Sequence, residues 1–307
     1  MAKINIVNIY GRVHKQPVIS KDRETGDFHF GFCYVDTVRS LRSVGDNLRY
    51  VKHDKPMILS RSEEILLQME KWQVNDIVLI KGVVHSQPLT KQSFCPNCKG
   101  PDGKPTRNET LGNLVSVTPI YMSTVRSYGD DKMAAVEDVI KNRELSNQVQ
   151  VYGTLLKDPK IYTTKKGVQI TQYPIAINRK FLVQQDDPTI KTDYPWVKSY
   201  GEIARDNKLF LKYQSEIVVD GFLQARNVKR KCKCANCGKT YEWTDSCMEI
   251  VPYSVEYIKG CRSREEIEAE HQKTLEECKQ MIFHSGTSDT MEDGMETSDI
   301  TKDSGTG

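Results

Sequence analysis

Ile217-Val218-Val219-Asp220-Gly221 ends an apolar strand and Cys234-Ala235-Asn236-Cys237 follows it, and the chain has written the same pair once before, as Val78-Leu79-Ile80-Lys81-Gly82 and Cys95-Pro96-Asn97-Cys98. The two glycines, the two leading thiols and the two trailing thiols each stand 139 residues apart. A strand end and a thiol pair that keep their register describe a duplicated domain. The period is far above the roughly 20 to 50 residues of solenoid repeats and fits two complete globular units. The flanks agree. Asn8-Ile9-Tyr10-Gly11-Arg12-Val13 is echoed by Gln150-Val151-Tyr152-Gly153-Thr154-Leu155, and Val115 to Tyr121 by Ile250 to Tyr257.

A chain of 307 residues with 38% hydrophobic and 28% charged residues has room for two ordinary domains. No apolar run approaches the roughly 20 residues of a membrane helix, and the opening Met1 to Asn8 has no signal-peptide hydrophobic region. The expectation is a cytoplasmic protein with no membrane partner, in which clustered cysteines point to metal rather than disulfides. The net charge of +3 conceals an asymmetry: Met1 to Cys261 carries +10, Arg262 to His284 carries −2, and Ser285 to Gly307, with six acids against Lys302, carries −5. A basic body with an acidic end suits a polyanion ligand, with the tail competing for its site or recruiting a partner.

Each copy reads mainly as short β-branched and aromatic runs broken by turn residues. One helical piece interrupts each, Glu63 to Trp72 and Glu202 to Lys212. Three strands, a helix and two strands is the order of the five-stranded OB barrel. The expected fold class is therefore mainly β, two tandem OB-fold barrels. Residues 1–125 form the first, with a degenerate Cys-x2-Cys insertion. Residues 126–146 form a helical linker whose Met133, Val136, Val139 and Ile140 share a face. Residues 147–260 form the second barrel, with a zinc-ribbon-like insertion at 230–249. An amphipathic C-terminal helix, 261–284, carries Ile267, His271, Leu275, Cys278 and Ile282 on one face. It is expected to pack on the barrels or pair with another subunit. A disordered acidic tail, 285–307, follows.

In copy two, Asn147 to Leu155, Asp158-Pro159, Gly167, Ile175-Ala176-Ile177-Asn178-Arg179, Ser199-Tyr200-Gly201 and Val218 to Arg226 occur in one order. The set resembles the bacterial single-stranded DNA-binding protein family over about residues 147–230, and more faintly, through the repeat, over 4–90. The resemblance implies bases stacked on aromatic side chains while basic side chains track the phosphates. It puts the rings at Phe181, at Tyr194 or Trp196, and at Tyr200, with Arg179, Lys180, Arg226, Lys229, Arg230 and Lys231 as the cations. A π face accepts any base, at about 1 to 3 kcal/mol per stack. The alternative for Trp196 and Tyr200 is that they fill a barrel core.

The chain also departs from the family pattern. The aromatic of the hairpin after the fourth strand falls on Val228, followed by Lys229-Arg230-Lys231, so charge replaces stacking and steepens the salt dependence. Copy one has Ser60, Arg61 and Ser62 around the Tyr200 position, with Tyr34 and Tyr50 nearby. The chain ends Asp303 to Gly307 rather than in the family's acidic, hydrophobic-tipped peptide, which weakens the case for recruiting replication or repair proteins through the tail. Four OB units commonly assemble in that family, so two per chain imply a homodimer. The thiol insertion is unusual there and suggests a phage, plasmid or other mobile-element variant.

Cys234-x-x-Cys237 before Gly238 makes a tight knuckle, and Cys232 with Cys247 could complete four thiolates around a structural zinc in domain 2. Such a zinc would staple a long loop beside the DNA and let Tyr241, Trp243, Lys239 and Lys231 extend the surface. Copy one keeps Cys95 and Cys98, but the register partners of Cys232 and Cys247 are Ser93 and Asn108. That copy is expected to have lost its metal or to complete it with a residue such as His85. Cys33, Cys261 and Cys278 read as packing thiols.

No Gly-rich phosphate loop, helical His-Glu pair or nucleophile context is legible, and the six histidines are scattered. The expectation is therefore not an enzyme. It is a nucleoid-associated protein that coats single-stranded DNA without sequence preference during replication, recombination or repair. Two alternatives stay open: an adaptor whose barrels bind partners of a replication or transcription machine, and an RNA-binding protein.

Overall fold

Alternating apolar and polar residues with β-branched enrichment favour pleated strands, and the chain forms them. The computed structural model describes residues 4–40, 51–179 and 191–285. The first repeat holds β1 (Asn5–Val13), β2 (Val18–Lys21), β3 (Phe28–Val38), β4 (His53–Asp54), β5 (Met57–Ser60), α1 (Glu63–Glu70), β6 (Ile77–Lys99) and β7 (Pro105–Arg126). The connection is α2 (Lys132–Lys141) and α3 (Arg143–Ser146). The second repeat follows with β8 (Asn147–Leu155), β9 (Lys160–Thr163), β10 (Gln169–Asn178), β11 (Thr192–Asp193), β12 (Trp196–Tyr200), α4 (Gly201–Phe210), β13 (Glu216–Lys233) and β14 (Thr240–Lys259).

Both repeats close. In the first, β1 pairs β3, β3 pairs β5, β5 runs parallel to β7, and β7 returns through β6 to β1. In the second, β8, β10, β12, β14 and β13 complete the same circuit. Each is an OB barrel, so the chain is mainly β, two barrels in tandem. Their interior is one apolar cluster that runs from Ile9, Ile58 and Trp72 to Val151, Ile175 and Val219.

The glycines that revealed the repeat have a steric cause. A Cβ on Gly221 would stand 2.1 Å from the Val251 carbonyl oxygen, and one on Gly82 would stand 2.5 Å from that of Thr118. Both sit at register shifts of the long hairpins, where backbones approach too closely for a side chain.

The barrels join through β1 and β8, which pair antiparallel with Val7 opposite Val149. These are equivalent residues of the two copies, so a pseudo-two-fold passes between them. Symmetric polar clamps close each barrel beside the join, and the Asn147 amide also crosses it to the Thr37 hydroxyl (3.1 Å). The Asn5 amide donates to the Val84 carbonyl (2.9 Å) and accepts from its N–H (2.8 Å), and Asn147 does the same at Leu223 (2.9 Å each way). Arg39 pairs with Asp54, and Arg179 with Asp193. Asp193 then accepts the Ser86 N–H (2.7 Å), while Asp54 accepts that of Ala225 (3.2 Å). Each repeat thus anchors the base of the other repeat's hairpin.

In the connection, Ala135 and Val139 are buried and Met133 is exposed, so the inward face is rotated from the one read in the sequence. Asp138 causes the rotation. Its carboxylate is buried to accept the hydroxyls of Tyr10 (2.7 Å) and Tyr128 (2.8 Å) and the Asn142 amide (2.8 Å). From Ser263 onward the chain is a separate unit that opens with α5 (Arg264–Ser285). The acidic tail expected beyond it lies outside the described residues. Among the described residues no helix is long and apolar enough to cross a membrane.

Candidate nucleic-acid interface and thiol cluster

Strand alternation decides which way the rings of β12 point. Val197 and Ser199 are buried, whereas Trp196 and Tyr200 are 41% and 36% exposed. Tyr194, whose backbone N–H donates to the Ser86 hydroxyl (2.6 Å), is 45% exposed. None of the three rings fills a core. The Lys198 ammonium lies 5.7 Å from the centroid of the Tyr200 ring, whose hydroxyl donates to Gln224 (3.1 Å). Phe181 and Lys180 lie outside the described residues, as does Tyr50.

Beyond the rings, the hairpins β6–β7 and β13–β14 enclose a groove of about 840 Å³. Trp196, Trp243 and Arg230 line it from the second repeat, and Tyr34, Lys55 and Lys91 from the first. Lys91 and Arg230 are equivalent residues of the two copies, and both reach one carboxylate, Asp245, at 2.6 Å. Burial alone would raise the Asp245 pKa. The two cations outweigh it and hold the carboxyl below its ordinary value. Lys91 was not legible as a site residue, because only the fold brings it beside Asp245.

The cations expected on phosphates are placed unevenly. Arg179 leaves that set: its guanidinium is buried in the barrel wall and gives two hydrogen bonds to Asp193 (2.6 and 2.7 Å). Arg226 likewise gives two hydrogen bonds to Glu249 (2.6 and 2.8 Å), although it is less buried than Arg179. Lys229, Arg230 and Lys231 are exposed along β13.

The thiols require a correction. Cys232 and Cys247 do not join Cys234 and Cys237. Cys232 lies in the ladder opposite Tyr241, and Cys247 lies opposite Arg226, its sulfur 3.5 Å from Arg230 and from Asp245. The four sulfurs that converge are those of Cys95, Cys98, Cys234 and Cys237, all within 4.8 Å of one another. The reason is the pseudo-two-fold, which sets the tips of the two hairpins against each other so that each knuckle supplies half of one cluster. The domain 1 pair is therefore neither degenerate nor completed by His85, which sits ten residues earlier on β6 beside Thr118.

Ser93 matches Cys232 as expected, but the return strands shift the register so that Cys247 matches Leu114 and Asn108 matches Tyr241; Ser93 and Asn108 hold the opposite hairpin tip. Ser93 meets the Tyr241 hydroxyl at 2.7 Å, and Asn108 accepts the Ala235 N–H at 2.9 Å. Backbone N–H groups of Cys237 and Asn236 pull the Cys234 thiol down to about 6. The Lys239 backbone N–H would lower the Cys237 thiol too, but burial and the facing sulfurs of Cys98, Cys234 and Cys95 push it up to about 11. The cluster can hold a metal ion.

Residues 146–237 match the single-strand binding protein family. The resemblance read in the sequence is to that family. A single-stranded DNA-binding protein of Staphylococcus aureus is 33% identical over 85 residues, covering 28% of this chain and 59% of the relative. One of Listeria innocua is 31% identical over 116 residues, covering 38% and 66%. The chain thus spans about three-fifths of the length of these relatives. The crystal structure of the single-stranded DNA binding protein from Thermus aquaticus superposes with a TM-score of 0.51 at 12% identity, covering 86% of this chain and 97% of that one. That likeness concerns the fold. The family match ends at Cys237, so the second knuckle is its last matched element and the first repeat lies outside it.

Proposed function

We propose that this protein binds single-stranded DNA without sequence preference, holding the strand extended across both barrels. The observation that carries the reading is a pair of indoles, exposed Trp196 and half-buried Trp243, set with Lys91 and Arg230 along one groove. Stacking rings with flanking cations suit unpaired bases of any identity, and a duplex would hide the base faces from them. The match of residues 146–237 to the single-strand binding protein family and the names of its relatives support the same ligand.

On this reading the protein coats strands exposed in replication, recombination or repair, in the cytoplasm with the nucleoid, and performs no catalysis. Two chains associate to give four barrels. The thiol cluster holds zinc as a structural ion.

Titrating tryptophan fluorescence with oligo-dT, oligo-U and duplex DNA at two salt concentrations tests the proposal. Quenching by oligo-dT that weakens with salt is the expected result. Equal quenching by oligo-U would shift the ligand to RNA, and no response to any of the three would leave an adaptor that binds protein.

A further inference from the structure

We infer that Cys95, Cys98, Cys234 and Cys237 form one zinc tetrathiolate shared by the two repeats, and that this clasp fixes the spacing of the groove walls. The inference rests on the proposed DNA groove only for its second half.

The sulfur geometry fits the ion. Zinc–sulfur bonds of about 2.3 Å at tetrahedral angles put sulfurs roughly 3.8 Å apart. The cross-repeat pairs Cys95–Cys237 and Cys98–Cys234 stand at 3.8 and 3.5 Å. Outer hydrogen bonds aim the ligands, as metal sites require. The Asn97 N–H donates to Cys95 (3.4 Å), the Asn236 amide crosses to Cys98 (3.8 Å), and the Asn108 amide crosses to Cys234 (3.7 Å). Four thiolates around a dication leave two net negative charges, and exposed Lys99, Lys233 and Lys239 lie within two residues of a knuckle cysteine in sequence. A closed four-sulfur site has no open position, so its role is structural. On binding, the thiols release their protons to solvent.

Position supplies the consequence. Cys95 follows Lys91 by four residues and Cys234 follows Arg230 by four, so the clasp closes directly beyond the two cations that meet at Asp245. The hairpins β6–β7 and β13–β14 carry both walls of the groove, and a bond between their tips holds Trp243 and Arg230 at a set distance from Lys91. Neither knuckle alone offers more than two ligands.

The experiment uses the full chain. Elemental analysis should find one zinc per chain, and cobalt exchange should give the visible spectrum of a tetrahedral tetrathiolate. Cys98→Ser and Cys234→Ser should each abolish metal binding, although they lie in different repeats, whereas Cys232→Ser and Cys247→Ser should retain it. Chelated protein that keeps its far-ultraviolet circular dichroism should bind oligo-dT about fivefold more weakly, through lost pre-organisation of the walls. Absence of metal, a pair of disulfides in its place, or dependence on Cys232 and Cys247 would overturn the clasp. Unchanged oligo-dT affinity after zinc removal would overturn its role at the groove. Failure of the zinc-loaded protein to bind oligo-dT would defeat the proposed function and leave the metal stoichiometry standing.

Discussion

The two repeats agree wherever the barrel needs them to and differ along the groove proposed for DNA. Asn5 and Asn147, Arg39–Asp54 and Arg179–Asp193, and Gly82 and Gly221 do the same work twice. The rings do not repeat. Trp243 stands opposite Arg230, whereas Thr110 stands opposite Lys91. Tyr200 follows Ser199 where Arg61 follows Ser60. In one place the ring has crossed strands: Trp196 faces Pro174 in the second repeat, and Met57 faces Tyr34 in the first. Barrel closure and the join constrain both copies equally, whereas on the proposed function one set of rings serves a strand running along the groove.

That contrast sets the expected effects of mutation. Removing Arg179 leaves Asp193 buried and unpaired, which costs about 3 to 5 kcal/mol of folding stability. In urea denaturation Arg179→Ala should shift the midpoint strongly while the remaining folded protein binds oligo-dT normally. Arg39→Ala, at the equivalent place, should behave alike. Divergent outcomes would break the claim that the framework is symmetric.

Next in size is the double variant Trp196→Ala/Trp243→Ala. Losing two stacks of about 1 to 3 kcal/mol each should weaken oligo-dT binding on the order of a hundredfold. Met57→Ala/Thr110→Ala, at the matching places in the first repeat, should change binding by less than about threefold. Equal losses from the two double variants would erase the division between framework and ring-bearing face.

Asn147→Ala removes a donor and an acceptor from the Leu223 backbone and should cost about 1 to 3 kcal/mol. Asn147 also donates to the Thr37 hydroxyl (3.1 Å), so Asn5→Ala should cost somewhat less in thermal denaturation. The smallest effect belongs to exposed charge: Lys229→Ala/Lys231→Ala should lower the slope of log affinity against log salt by up to about two without moving the melting temperature.

Much of the fold was legible because its signals are local. Alternation along the strands, the helix between the third and fourth strands, and Gly82 and Gly221 at the close approaches could each be read from neighbours in sequence. The family resemblance offered Trp196 and Tyr200 as stacking candidates, and of the two readings the sequence left open for them the structure excludes core filling. The metal cluster was half legible. Spacing revealed both knuckles but suggested two separate sites, because nothing in a linear sequence announces a pseudo-two-fold centred on Val7 and Val149. Arg179 failed in the same way. Its charge looked available, and only the fold delivers Asp193 to it. Lys91 gave no signal until the two hairpins were side by side.

The indoles offer the most direct test of the central claim. The chain has three tryptophans, of which Trp72 is buried while Trp196 and Trp243 line the groove. Saturating oligo-dT should quench the wild-type emission strongly and leave the emission of Trp196→Phe/Trp243→Phe, which reports Trp72 alone, unchanged. Wild-type emission that ignores oligo-dT while binding is seen by another method would place the strand elsewhere and contradict the account.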